Sequence, residues 1–245
     1  MARPDTVNGQ KGFAYVMMLS LIPLLLSGFL FLLFSQFLLQ NWMKSLSLCR
    51  TELLLTQKEV GAQLQKLMGL NPIAKTLRAR MKIAQLHLAM ALQSGNPAAI
   101  IAIQKKIHEI TRAQEQLDDL QKSIVRASNQ RMRRGQEKVF EMLKQQNQQV
   151  QAQDLLLFRY HIRPMNASPQ ELSVQPDRPD RAPIYELKHD FESQQALHVS
   201  WISKFQTTHQ TGNPWIQNQH KKIGTCGASI SQEKNRFKER LRAVK

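Results

Sequence analysis

Catalysis in this chain would have to come from seven histidines, two cysteines and a small set of carboxylates among 245 residues. The histidines are His87, His108, His161, His189, His198, His209 and His220, and none stands in His-Glu-x-x-His or another short ligand spacing. His198, His209 and His220 recur every eleven residues, so a fold could bring them together, although nothing in the sequence requires it. His87 and His108 lie on or beside helical stripes, where packing or surface roles are the rule. Asp190 follows His189 and Ser200 precedes Trp201, both without motif context, and there is no glycine-rich phosphate loop and no Gly-x-Ser-x-Gly. The reading is therefore of a protein that is not an enzyme, with no catalytic, cofactor-binding or metal-binding residues and no cofactor. Cys49 and Cys226 are the remaining reactive pair. In an oxidising compartment they could join as a disulfide; two unrelated thiols, with Cys49 packed as a small apolar residue, is the alternative.

The elements that must position these residues are mostly helical. Leu46, Cys49, Leu53, Val60, Leu64 and Leu67 recur at helical spacing. Asn71-Pro72 then supplies an N-cap and a first-turn proline, which reads as one helix ending and another starting. The second stripe is Leu77, Met81, Ala84, Leu88 and Ala91, and Gly95-Asn96-Pro97 repeats the stop-start chemistry. The third runs through Ile100, Ile103, Ile107, Ile110, Leu117, Leu120 and Ile124, then more loosely through Met132, Val139 and Leu143. Tight breaks between such helices predict antiparallel neighbours. Gly135 marks a place for the third helix to bend or break, and Gln145 to Gln149 reads as fraying helix or linker.

After Asp154 the grammar changes. Leu155 to Ile162 reads as a strand bounded by Arg163-Pro164, Ile184 to Leu187 as a second, and the alternation Leu197, Val199, Trp201 as the clearest of all. Pro169, Pro176, Pro179 and Pro183 divide the stretch between the first two. Thr211-Gly212-Asn213-Pro214 reads as a turn and Gly224 to Gly227 as a loop. Phe237, Leu241 and Val244 give Gln232 to Lys245 a helical period. The expected organisation is a leader (1–12), a transmembrane helix (13–39), a helical stalk (40–150) and a small β-containing domain with a basic helical tail (151–245). The fold class is mainly α: the transmembrane helix continues into an antiparallel three-helix coiled-coil-like stalk, followed by the β-containing region.

The net charge of +16 is uneven: residues 40–150 hold 18 Lys and Arg against 8 acids, and residues 151–245 hold 14 against 9. This balance suits acidic partners, namely anionic lipid head groups, an acidic subunit or nucleic acid. A solvated basic helix surface is the plainer reading, and an aromatic content of 7% leaves little for stacking on bases. A membrane-tethered binder of polyanions such as DNA stands as a lesser reading. The helical stalk also offers a face for homo-oligomers.

From Phe13 to Leu39 there is no charged residue, and only Ser20, Ser27, Ser35 and Gln36 interrupt the apolar run. A helix crossing the hydrocarbon core needs about 20 such residues. The run is also too long for the core of a cleaved secretory signal. It follows Lys11-Gly12, opens on the aromatic Phe13 and carries Pro23 eleven residues after the glycine. This segment resembles the type IV pilin class, and within it the minor pseudopilins of Tad (Flp) pili, the TadE/TadG-like proteins. The resemblance covers about thirty residues. It implies processing between Gly12 and Phe13, a span loosened by Pro23, and assembly with other pilin-like or assembly-machine subunits. It further implies a single pass through a bacterial inner membrane, with the bulk of the chain in the periplasm or pilus. Two features differ. Met17 stands where the family usually carries a glutamate, and Lys44, Arg50 and Lys58 make the C-terminal flank slightly more basic than Arg3 and Lys11 make the N-terminal one. An uncleaved signal-anchored scaffold or adaptor is the alternative.

Overall fold

Stretches rich in Leu, Ala, Gln, Lys and Met favour helix, and here they form three long ones: α1 (Val7–Gly69), α2 (Asn71–Gln93) and α3 (Pro97–Ala152). The computed structural model describes residues 7–152, 158–165, 167, 171–179, 181–207, 220–233 and 236–242. Residues 1–47 form one compact unit and residues 48–245 another.

In the first unit the described apolar side chains of α1, from Tyr15 to Leu33, are largely exposed around the whole circumference. The hydroxyls of Ser20, Ser27 and Ser35 donate to the carbonyls of Met17, Leu24 and Leu32, each at 2.9 Å. These three interruptions of the apolar run are thus satisfied within the helix. By length and composition this helix can cross a membrane.

In the second unit the chain reverses once between its helices, not twice. Leu70 keeps right-handed helical angles, its N–H bonds the Leu67 carbonyl, and its own carbonyl accepts from Ala74. One residue in that conformation cannot turn the chain round, so α2 continues from α1 with a local distortion where Pro72 lacks a donor. The reversal comes at Gly95, whose φ of +65° is the left-handed region that glycine enters freely. There Asn96 does cap α3, its Oδ1 accepting from the Ala99 N–H at 3.3 Å. Beyond this turn α3 runs antiparallel to both earlier helices in a single register. Leu77 and Ala84 of α2 share a groove with Ile110 and Ala113 of α3, and Ala74 packs with Leu117. Further along, Gln63 meets Ser128 at 2.7 Å, Arg131 donates to Glu59 at 3.0 Å and Lys138 to Glu52 at 2.9 Å. The expected three-helix stalk is therefore corrected, in residues 48–152, to a two-stranded helical hairpin.

Gly135 is likewise no break, since α3 is helical through it. A methyl group there would come to 2.7 Å from Thr56 Cγ2 and 3.0 Å from its Cβ, so the glycine lets the two helices approach. The glutamine tract at 145–149 is helix as well. Gln146 is buried, and the Asn147 Oδ1 accepts from the Ile162 N–H at 2.7 Å.

Among the described residues six strands follow: β1 (Phe158–Pro164), β2 (Val174–Pro176), β3 (Tyr185–Leu187), β4 (Leu197–Thr207), β5 (His220–Glu233) and β6 (Arg236–Arg242). A four-residue helix, α4 (Phe191–Gln194), precedes β4. β1, β4, β5 and β6 make an antiparallel sheet in that order, and β2 and β3 pair separately. Leu197, Val199 and Trp201 alternate as read and face the core. Two expectations fail. Gly224 to Gly227 lies inside β5, where Gly224 stands opposite Trp201 and leaves room for its indole, whose Cζ2 would be 2.5 Å from an added Cβ. The described part of the tail, residues 232–233 and 236–242, is strand rather than helix: Arg236, Lys238, Arg240 and Arg242 alternate with Phe237, Glu239 and Leu241 along an edge of the sheet. Charges on such an edge discourage pairing with another chain. The turn read at Thr211–Pro214, residues 155–157 of the first strand, and Val244 lie outside the described residues.

Candidate membrane anchor and stapled helix–sheet junction

The residues that the sequence singles out fall in two places. Gly12 and Phe13 lie in the first turns of α1, and Pro23 lies within it. With no N–H, Pro23 cannot donate to the carbonyl of Leu19, which weakens the helix at that turn.

The second place is the junction of helix and sheet, built around the C-terminal third of α1. Cys49 and Cys226 are fully or nearly fully buried and joined by a disulfide, with Cα atoms 6.4 Å apart. Two turns further on, the buried Gln57 Nε2 donates to the carbonyls of Gln195 at 2.8 Å and Ala228 at 3.1 Å. Gly61 then lies beside Phe237, whose Cβ would be 3.5 Å from an added methyl. Phe237 in turn meets the ring of Phe191 edge-on, with centroids 6.1 Å apart. One face of α1 is thus held to β5 by a covalent bond and one buried hydrogen bond, and to the end of α4 by a second.

Sequence reasoning missed what the amides do. Asn71, read as a helix cap, does not cap α2. Its Nδ2 donates to the Tyr185 carbonyl at 2.9 Å and its Oδ1 accepts the Tyr185 N–H at 3.0 Å, as a neighbouring strand would. The Gln121 Nε2 donates to the Pro183 carbonyl at 3.1 Å, and the Asn129 Oδ1 accepts from Leu172 at 2.8 Å. Backbone groups of the irregular 171–190 region must find partners when buried, and the helices supply them. The signal was the abundance of Gln and Asn on the helices, read as solvated surface.

One ion pair ties the turn after β2 to α2. Arg78 grips Asp177 with two guanidinium nitrogens, at 2.5 and 2.7 Å, while its Nε donates to the Ala182 carbonyl at 2.8 Å. The Arg78 hydrogen bonds, helped by the Ile184 N–H, hold the Asp177 carboxyl well below the usual carboxylate range against the opposing effect of burial. Arg181 and Ala182, which close this turn, have φ of 58° and 59°.

His198 and His220 do not converge. His198 sits opposite Gly227, and His220 opposite Phe205 seven residues along the same ladder, a separation of roughly 23 Å at the rise of a strand. Burial, then the charge of Arg242, lowers the pKa of His198. His209 lies outside the described residues. His189 stands 3.2 Å from Asp190 on an exposed turn. Among the described residues no three His, Cys, Asp or Glu side chains are grouped to hold a metal ion.

No family model, curated protein or solved structure matches this chain.

Proposed function

We propose that the chain is a membrane-anchored, pilin-like subunit of a Tad or type IV-type pilus or secretion machine, acting by assembly rather than catalysis. The observation that carries this reading is Lys11-Gly12-Phe13 with Pro23 at the head of an apolar helix exposed on every side. Such a helix is solvated well by lipid and poorly by water. Cleavage after Gly12 would leave Phe13 as the new amino terminus, and Pro23 would let the span flex as it leaves the bilayer. The buried Cys49–Cys226 bond favours a single pass through a bacterial inner membrane with the bulk of the chain in the periplasm or pilus, because disulfides persist in oxidising compartments. The partners are membrane lipids and other pilin-like or assembly-machine subunits, with the helical hairpin available for contacts between copies.

Met17 favours a second reading, a signal-anchored scaffold that is never cleaved, since an acid at that position would pair with a neighbouring subunit's amino terminus. Substituting Gly12→Arg in the native host separates the two. The pilin-like reading expects the variant to keep residues 1–12 and to migrate more slowly than the processed wild type. Equal mobility of the two chains sinks cleavage and leaves the scaffold.

A further inference from the structure

Between Val60 and His108 the chain has no acidic residue, and it carries Lys66, Lys75, Arg78, Arg80, Lys82, Lys105 and Lys106. The inner seam of α2 is occupied by Ala74, Leu77, Met81, Ala84, Leu88 and Ala91, at alternating steps of three and four. Leu86 and Met90 lie off that seam on the opposite face, 56% and 51% exposed, and Ile83, 54% exposed, stands between them and the rim of the groove shared with Glu109 and Ile110 of α3. α2 is therefore apolar on two faces, and its own hairpin covers only one. Lys75 and Lys82 flank the outer stripe on one side and Arg80 on the other.

Lys82 also borders a second feature, a groove of about 520 Å³ between α2, α3 and the turn after β2. Arg78, Lys82, Arg178 and Arg181 line it, and no acid among the described residues does. Asp177 stands beside it but is gripped by Arg78 and lies 4.0 Å from Arg178. A groove lined by so many cations suits phosphate oxygens, and an aliphatic stripe runs along the same helix.

We propose that the outer face of α2 docks on an anionic phospholipid surface, with a lipid phosphate in the groove and Ile83, Leu86 and Met90 dipping among the acyl chains. Long cationic side chains beside an aliphatic stripe are the pattern of helices that lie in a bilayer interface. A second copy fits poorly, since an isologous pairing of this face would set cations against identical cations. The stripe also lacks the aromatic anchors typical of protein contacts. This inference rests on the membrane-anchored reading, but not on processing at Gly12.

Met90 is a native probe. The full chain is reconstituted in nanodiscs of phosphatidylcholine alone, or of phosphatidylcholine with phosphatidylglycerol, and oxidised with hydrogen peroxide. Mass spectrometry reads the rate at Met90 against Met165, which is 44% exposed and lies after β1. The expected result is severalfold slower oxidation of Met90 in the anionic discs only, with Met165 unchanged. High salt, or Arg178→Glu with Arg181→Glu, should abolish the difference; Lys82→Glu should reduce it, since each cation at such a surface contributes roughly fivefold in affinity. Inorganic phosphate added to neutral discs should not protect Met90, which separates a lipid phosphate from a free one. Equal Met90 rates on the two discs, protected or not, overturn the proposal and leave an acidic protein or a second copy as occupant. A chain recovered with neither disc overturns this inference and the anchor together.

Discussion

Substituting Gly135→Ala tests the helical hairpin at its tightest point, because the sign of the effect depends on the packing. In an exposed helix interior the change should stabilise by about 1 kcal/mol, since alanine is the better helix former. In this hairpin the new methyl would stand 2.7 Å from Thr56 Cγ2 and 3.0 Å from its Cβ, and closer still to its hydroxyl. Thr56 is fully buried, and its branched side chain has few rotamers to escape into. Overpacking of this kind costs about 1–3 kcal/mol. With the helical gain set against it, a net loss of up to about 2 kcal/mol is expected. Thr56→Ala removes Oγ1 and Cγ2 and leaves only the 3.0 Å contact, so the double variant should recover most of that loss. Thr56→Ala alone should cost about 1 kcal/mol or less, near the value of one methyl group. The assay is urea unfolding of the full chain in detergent, followed by tryptophan fluorescence, to which the fully buried Trp201 contributes. The double-mutant cycle should show a coupling on the order of 1–2 kcal/mol. A stabilising Gly135→Ala with no coupling to Thr56 would refute the register.

Three further outcomes are expected. Cys226→Ser opens a loop with a sequence separation of 177 residues. Loop entropy puts the loss at about 5 kcal/mol, reduced to about 4 because the unfolded chain is already partly compact; urea unfolding with and without reductant reads it, and an unchanged midpoint would sink it. Asp177→Asn removes the Arg78 pair, which is 17% and 31% exposed at its two side chains, and should cost about 1 kcal/mol at neutral pH. The folded carboxyl is held below its ordinary value, so this stabilisation is complete above about pH 4 and is lost as the pH falls below it. The acid limb of the wild-type stability profile should therefore be steeper than that of Asp177→Asn, and parallel limbs would contradict the ion pair. Leu25→Arg combined with Phe29→Arg places two charges in the apolar run at a cost of about 6 kcal/mol to insertion. The variant should leave the membrane pellet on carbonate extraction, and retention equal to wild type would remove the span.

Much of the architecture was legible because local signals and tertiary demands agreed. The stripe from Cys49 to Leu67 and the one from Ile100 to Leu143, apart from the exposed Leu120, are faces that pack, and the alternation Leu197, Val199, Trp201 marks a central strand. Readings failed where two local patterns are alike and only the context differs. Asn71-Pro72 and Asn96-Pro97 look the same, but the second follows Gly95 in a left-handed conformation, whereas the first follows Leu70, which stays helical. Arg236 to Arg242 fits both a helical and an alternating period, and β5 alongside decides for the strand. Gly135 and Gly224 read as breaks because a sequence does not show what presses on a missing side chain; here these are Thr56 and Trp201. The amide partnerships of Gln57, Asn71, Gln121 and Asn129 join residues distant in sequence and leave no periodic trace.

The central claim, a pilin-like subunit processed at the head of its span, is tested most directly by the mass of the amino-terminal peptide of protein recovered from its own membranes. The account predicts a chain beginning at Phe13, with or without an N-methyl group. A chain beginning at Met1 or Ala2 contradicts it and makes the span a permanent anchor.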